Sequence, residues 1–274
     1  MRAIKKIIPT FMAGNYPAQI ILENISLFSQ YLMGIGYGTG AARSGEGGII
    51  KSLCKKVRGP LCVFDIGANK GQFLNLAIEC LAGREFDIHC FEPSRKTFDI
   101  LVNETVGGDR IHFNNFGMGK ESGEALLFYE AEGSGMASLT KRRLDHFSVD
   151  FSVSEKVSIC TIDEYCREND VSRINLLKID IEGHELDALM GADNMIIDGR
   201  VDYISFEFGG CNIDTKTYFQ DFWYFLKEKG YSIFRVTPSG YLFPVKKYRE
   251  IYEQFRTTNF VAMRTVLLDK VQRE

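Results

Sequence analysis

The residues that could do chemistry gather in three short segments. In K-I-D-I-E-G-H-E, Lys178 to Glu185, the side chains of Lys178, Asp180 and Glu182 fall at alternate positions. In an extended segment they share one face. Two neighbouring carboxylates raise the pKa of one of them and make it a better proton acceptor. An acceptor hydroxyl needs such a base, or a metal, to remove its proton. Asp180, Glu182 and His184 could instead hold a divalent cation, with Lys178 neutralising the carboxylates. A helix N-terminus would also account for Glu182 and Gly183, and a capping or surface role fits His184 equally well. Glu207, in F-E-F-G, is a further candidate base.

The second segment is D-I-G-A-N-K-G, Asp65 to Gly71, and the third is C-F-E-P, Cys90 to Pro93. Gly67 permits a tight turn with close backbone approach, and Gly71 lets a helix start close to the strand. The spacing G-x-x-x-G is not the dinucleotide fingerprint, and Asp65 would repel a pyrophosphate while welcoming a cationic sulfonium and an amino group. Glu92 lies 21 residues beyond Gly71 and can accept hydrogen bonds from both hydroxyls of a ribose. The candidate cofactor site is therefore Asp65, Gly67, Ala68, Asn69, Gly71, Glu92, Pro93, Asn115 and Asp180.

Elements that would bring these residues together are readable from short apolar runs alternating with amphipathic segments. Strands are expected at 61–66, 87–92, 111–116, 174–180, 201–208, 231–236 and 259–264, with an extra edge strand or hairpin arm at 125–129. Helices are expected at 18–33, 71–81, 94–103 and 217–229. Near-continuous apolar strands alternating with helices imply a mostly parallel, doubly wound α/β sheet covered on both faces. Such sheets bind ligands at the carboxyl ends of their strands, where Asp65, Glu92, Asn114, Asn115, Asp180 and Glu207 all fall. Ser134 and Ser138, in a Gly-rich loop, could line an acceptor pocket or form a surface turn. The aromatic helix with Tyr218, Phe219, Phe222, Trp223 and Phe225 reads as core in preference to an aromatic sugar platform.

V-F-D-I-G-A-N-K-G-Q-F, C-F-E-P-S, T-I-D-E-Y and L-L-K-I-D-I-E-G-H-E resemble the FkbM-type family of S-adenosylmethionine-dependent methyltransferases, over about Leu61 to Arg264. The resemblance implies a class I methyltransferase (Rossmann-like) fold of seven strands with the last antiparallel. It also implies S-adenosylmethionine as cofactor and O-methylation of a sugar or similar hydroxylated acceptor. The alternatives are a nicotinamide-dependent oxidoreductase, against which the glycine spacing and Asp65 count, and a non-catalytic binding module, against which the set of carboxylates counts.

Composition narrows the setting. The 274 residues are 45% hydrophobic and 25% charged, with a formal net charge of -3, which provides no basic face for nucleic acid. Seven cysteines without a C-x-x-C pair read as reduced thiols in a cytoplasmic protein. Residues 1–48 form an N-terminal helical segment followed by a Gly-rich lid or linker, Gly34 to Gly48, in which Arg43 and Glu46 could clamp a ligand; residues 49–274 form the methyltransferase domain. Pro17 to Met33 is amphipathic rather than membrane-spanning, compatible with peripheral membrane contact.

Overall fold

A computed structural model describes residues 14–37, 45–105 and 108–269 of the chain. It begins with helices α1 (Tyr16–Leu32) and α2 (Glu46–Lys56). The alternating region follows as β1 (Leu61–Ile66), α3 (Gln72–Cys80), β2 (Phe86–Phe91), α4 (Arg95–Glu104) and β3 (Ile111–Asn114). Three strands, β4 (Gly117–Met118), β5 (Gly123–Tyr129) and β6 (Val153–Cys160), form a separate small sheet in the order β4-β6-β5. The chain returns through α5 (Ile162–Glu168), β7 (Ile174–Ile179), α6 (Glu185–Met190), α7 (Asp193–Ile197) and β8 (Val201–Phe208). It ends with α8 (Cys211–Thr215), α9 (Phe219–Glu228), β9 (Tyr231–Val236), β10 (Leu242–Val245), β11 (Thr258–Arg264) and α10 (Thr265–Asp269).

The main sheet has eight strands in the order β10-β9-β11-β8-β7-β1-β2-β3. β3, β2, β1, β7 and β8 are mutually parallel, and β11 inserts antiparallel between β8 and β9. The antiparallel last strand matches the expectation. The eighth strand, β10, closes a hairpin on β9; its Pro244 suits an edge position, where no ladder donor is needed.

Neighbouring residues on a strand point to opposite faces, and the core divides accordingly. Phe64, Leu177 and Ile204 join the aromatic cluster of Phe219, Phe222 and Trp223 on one face. Val63, Leu176 and Tyr203 pack with Ile50, Leu53 and Leu74 on the other. Phe219, Phe222 and Trp223 are therefore core, as the spacing predicts, with Phe225 packed partly buried against them, whereas Tyr218 is exposed. All seven cysteines are free thiols.

The Gly-rich stretch differs from a loose linker at both of its described ends. Ile35 is buried, the Gly36 N–H donates to the Thr257 carbonyl, and Glu46, Gly47 and Gly48 form the first turn of α2. The expected division after residue 48 falls inside that helix. Arg43 lies outside the described residues.

Tight packing at the β1–α3 turn explains Gly67. Its φ is +80°, and a Cβ there would sit 1.9 Å from the Asp180 carbonyl oxygen. The turn after β1 thus presses on the turn after β7, leaving no room for a methyl group. G67A is expected to cost about 2–6 kcal/mol, combining left-handed strain with overpacking against backbone. Urea denaturation would measure it, and an unchanged midpoint would refute the close approach.

Candidate active site

A cavity of about 820 Å³ opens at the carboxyl ends of the parallel strands. It is lined by Gly67, Ala68 and Asn69 from the turn after β1 and by Glu92 and Pro93 after β2. Lys178, Asp180, Glu182 and His184 enter from β7 and the turn beyond it, and Glu207 from β8. The small sheet supplies Met118, Leu127 and Ile159 as apolar wall, and the loop between β5 and β6 covers the mouth with Ser134, Ser138 and Arg142. Most of the residues marked by the sequence therefore converge on one site.

Three of the candidate cofactor residues do not reach it, each for a local reason. Asp65 is fully buried. It stands opposite Lys178 in the β1–β7 register, with Oδ1 3.1 Å from Lys178 Nζ. It acts on the cavity only through that lysine, not as the wall for a sulfonium. Gly71 has φ +84° and caps α3; a Cβ would meet Thr105 Oγ1 at 2.8 Å. Asn115 donates from Nδ2 to the carbonyls of Glu92 at 3.0 Å and Pro93 at 3.1 Å, bracing the turn instead of facing a ligand.

Glu92 is held from both sides. Its Oε2 accepts the Asn69 N–H at 3.0 Å and its Oε1 the Ser94 N–H at 2.9 Å. Burial outweighs these donors and, helped by the charges of Asp65 and Glu155, pushes its carboxyl up to about 7. Glu92 lines the cavity, and each of its carboxylate oxygens retains a further lone pair.

β7 ends at Ile179, so the pleat does not carry Asp180 and Glu182 to a common face. The turn does. Glu182 takes a left-handed φ of 52° and Gly183 one of 108°, and both carboxylates line the cavity. The turn is pinned by Ser138 Oγ, which donates to the Glu182 carbonyl at 2.8 Å. Fully buried Glu185 pins it from below, its Oε1 accepting the N–H groups of Ile181 and Gly183. Glu185 is therefore a strut. Arg142 Nη1 lies 2.5 Å from Glu182 Oε2, and Arg142 Nε lies 3.6 Å from Asp214 Oδ2. Burial and the Asp180 charge push Glu182 up to about 7 despite Arg142. Burial also holds Glu207 well above the ordinary carboxylate range, reinforced by Asp180, Glu182 and Glu185.

Lys178 works in the opposite sense. Burial alone would lower it, but the carboxylates of Asp65, Asp180 and Glu46 hold it above its ordinary value. It thus places a fixed positive charge 3.6 Å from Asp180 Oδ2.

His184 does not join Asp180 and Glu182 as a third metal ligand. Its Nδ1 is 2.8 Å from Asp187 Oδ2 and its Nε2 is 3.0 Å from Thr140 Oγ1. Among the described residues, no three His, Cys, Asp or Glu side chains are grouped to hold a metal ion. Arg142, Asp214 and Thr140 went unmarked in the sequence. Their roles depend on a loop folding over the turn after β7, which no local pattern in the sequence announces.

The chain matches the sequence profile of the Methyltransferase FkbM domain over residues 65–233. It is 27% identical over 156 residues to the hexuronic acid methyltransferase AglP of Haloferax volcanii, a match covering 56% of this chain and 58% of that relative. The crystal structure of a methyltransferase FkbM from Methylobacillus flagellatus KT superposes with a TM-score of 0.44 at 19% identity, over 77% of this chain and 47% of that one. The plantazolicin methyltransferase BpumL, solved with SAH, gives a TM-score of 0.44 at 9% identity, over 95% of each chain.

The Asp65–Lys178 pair makes a testable demand on stability. K178M leaves a buried carboxylate uncompensated and is expected to cost about 3–5 kcal/mol. The double variant D65L/K178M removes both charges and should recover much of that loss. A double variant no more stable than K178M in urea denaturation would contradict the pairing.

Proposed function

Because the chain belongs to the FkbM methyltransferase family, we propose that it transfers the methyl group of S-adenosylmethionine to a hydroxyl of a sugar or similar hydroxylated acceptor. The observation that carries this reading is the convergence of Glu92, Asp180 and Glu182 on one cavity, of a size that holds a cofactor and a small acceptor. Glu92 would take the ribose hydroxyls, while Gly67 to Asn69 lie close enough for backbone contact. When bound, S-adenosylmethionine supplies a methyl group on a positively charged sulfur, already activated for in-line displacement.

What remains for the protein is alignment, exclusion of water and handling of one proton. Glu182, pushed up to about 7, is matched to accept a hydroxyl proton near neutral pH. Asp180, beside the charged Lys178, orients the hydroxyl. Arg142 holds the Glu182 carboxylate in place, and the loop that carries it covers the site. With His184 committed to Asp187 and Thr140, direct base catalysis fits the residues better than a bound divalent ion. Neither the oxidoreductase nor the non-catalytic reading uses Asp180 and Glu182 in this way.

Arg256 also lines the cavity, its Nη1 2.6 Å from Gln30 Oε1. A cation there suits an acidic sugar, and the relative named for hexuronic acid makes uronic acids the first acceptors to screen. Seven free thiols suit a reducing compartment such as the cytoplasm.

Three measurements check the chemistry. E182Q keeps shape and removes the base, so turnover should fall roughly 100- to 10,000-fold while S-adenosylmethionine affinity changes little. A raised carboxyl is protonated below about 7, so the wild-type rate should climb as pH rises through that value and the slope should vanish in E182Q. Near wild-type turnover by both E182Q and D180N would remove this segment from catalysis. Dialysis against a chelator should leave the rate unchanged; activity lost and then restored by magnesium or manganese would establish the metal route.

A further inference from the structure

Helix α1 leaves exposed the face that an ordinary surface helix buries. Its apolar stripe, Ile21, Ile25, Phe28 and Leu32, recurs at helical spacing that normally faces a core. These four side chains are instead 56%, 58%, 64% and 58% exposed, and α1 buries no residue. Gln19, Glu23 and Ser26 are exposed as well, and α1 meets the body chiefly at its C-terminal end, where the half-buried Gln30 accepts from Arg256. A large contiguous apolar patch on a folded domain marks a docking surface.

Charge identifies what docks. Residues 1–22 carry Arg2, Lys5 and Lys6 and no Asp or Glu, and Glu23 is the only charged residue in α1. An apolar helix face that continues a cationic, acid-free stretch suits anionic lipid. No described helix is long and apolar enough to cross a membrane, so the helix would lie along the surface.

We propose that α1 is an interfacial anchor that seats this chain on an anionic lipid surface. Gln30 ties α1 to Arg256, and Arg256 and Gly36 line the cavity. Docking therefore brings the Arg256 end of the cavity to the bilayer, where an acceptor carried at that surface would meet it. The anchor stands on α1 and the charge pattern, independently of which carboxylate removes the acceptor proton.

The test is flotation of the full chain with phosphatidylcholine vesicles, with and without phosphatidylglycerol. The chain should float with the anionic vesicles and dissociate as salt is raised. I21Q/I25Q/F28Q/L32Q should abolish flotation with no change in thermal midpoint, since α1 contributes nothing to the core. R2Q/K5Q/K6Q should weaken binding on the order of a hundredfold, from about 1 kcal/mol per basic residue. Failure of the wild-type chain to float would overturn the proposal. If light scattering then shows a dimer that the four-residue variant dissociates, the face is an interface with a second copy. Vesicle binding requires no methyl transfer, so an inactive protein can still pass or fail.

Discussion

The arrangement of the site rests on the buried pair between Asp65 and Lys178. β1 and β7 are adjacent and in register at these two residues, so the pair joins the two strands whose ends form the cavity. Removing two charges from water is costly, and the cost is offset only if each satisfies the other at close range. Gly67 lies two residues beyond Asp65 and Asp180 two beyond Lys178. The turns that follow inherit their positions from the pair, and the contact of Gly67 with the Asp180 carbonyl fixes their separation.

Around this fixed cation the cavity is rich in acid. Glu92, Asp180, Glu182 and Glu207 line it together, and three of them are held above their ordinary carboxylate range by burial. Crowded, desolvated carboxylates favour neutral forms until a positive charge arrives. A sulfonium cofactor would supply that charge, which couples its binding to ionisation of the carboxylates around it. Arg142 contributes from the loop between β5 and β6, so the segment that lines this side of the cavity also holds Glu182.

Much of this was legible because buried parallel strands write themselves as continuous apolar runs. β1, β8 and β9 have the bounds their sequences predict, at 61–66, 201–208 and 231–236. What failed was long-range. Asp65 reads as a site residue because nothing in its own segment shows that β7 will bring Lys178 opposite it. β6 escaped notice because most of its residues are not buried, so its alternation is weak, and β10 because Pro244 disguises an edge strand. The start of α2 looked like linker because of Gly45, Gly47 and Gly48. Gly45 and Gly48 let the chain pass close to Val236 and Gly240.

The central claim is that the strand-end carboxylates form a cofactor cavity, with Glu92 gripping a ribose. Calorimetric titration of S-adenosylmethionine into the wild-type chain and E92A tests it most directly. Loss of two hydrogen bonds to a charged acceptor, about 1.5 kcal/mol or more each, should weaken binding roughly a hundredfold in a variant that stays folded. Equal affinity in the two proteins would contradict the account.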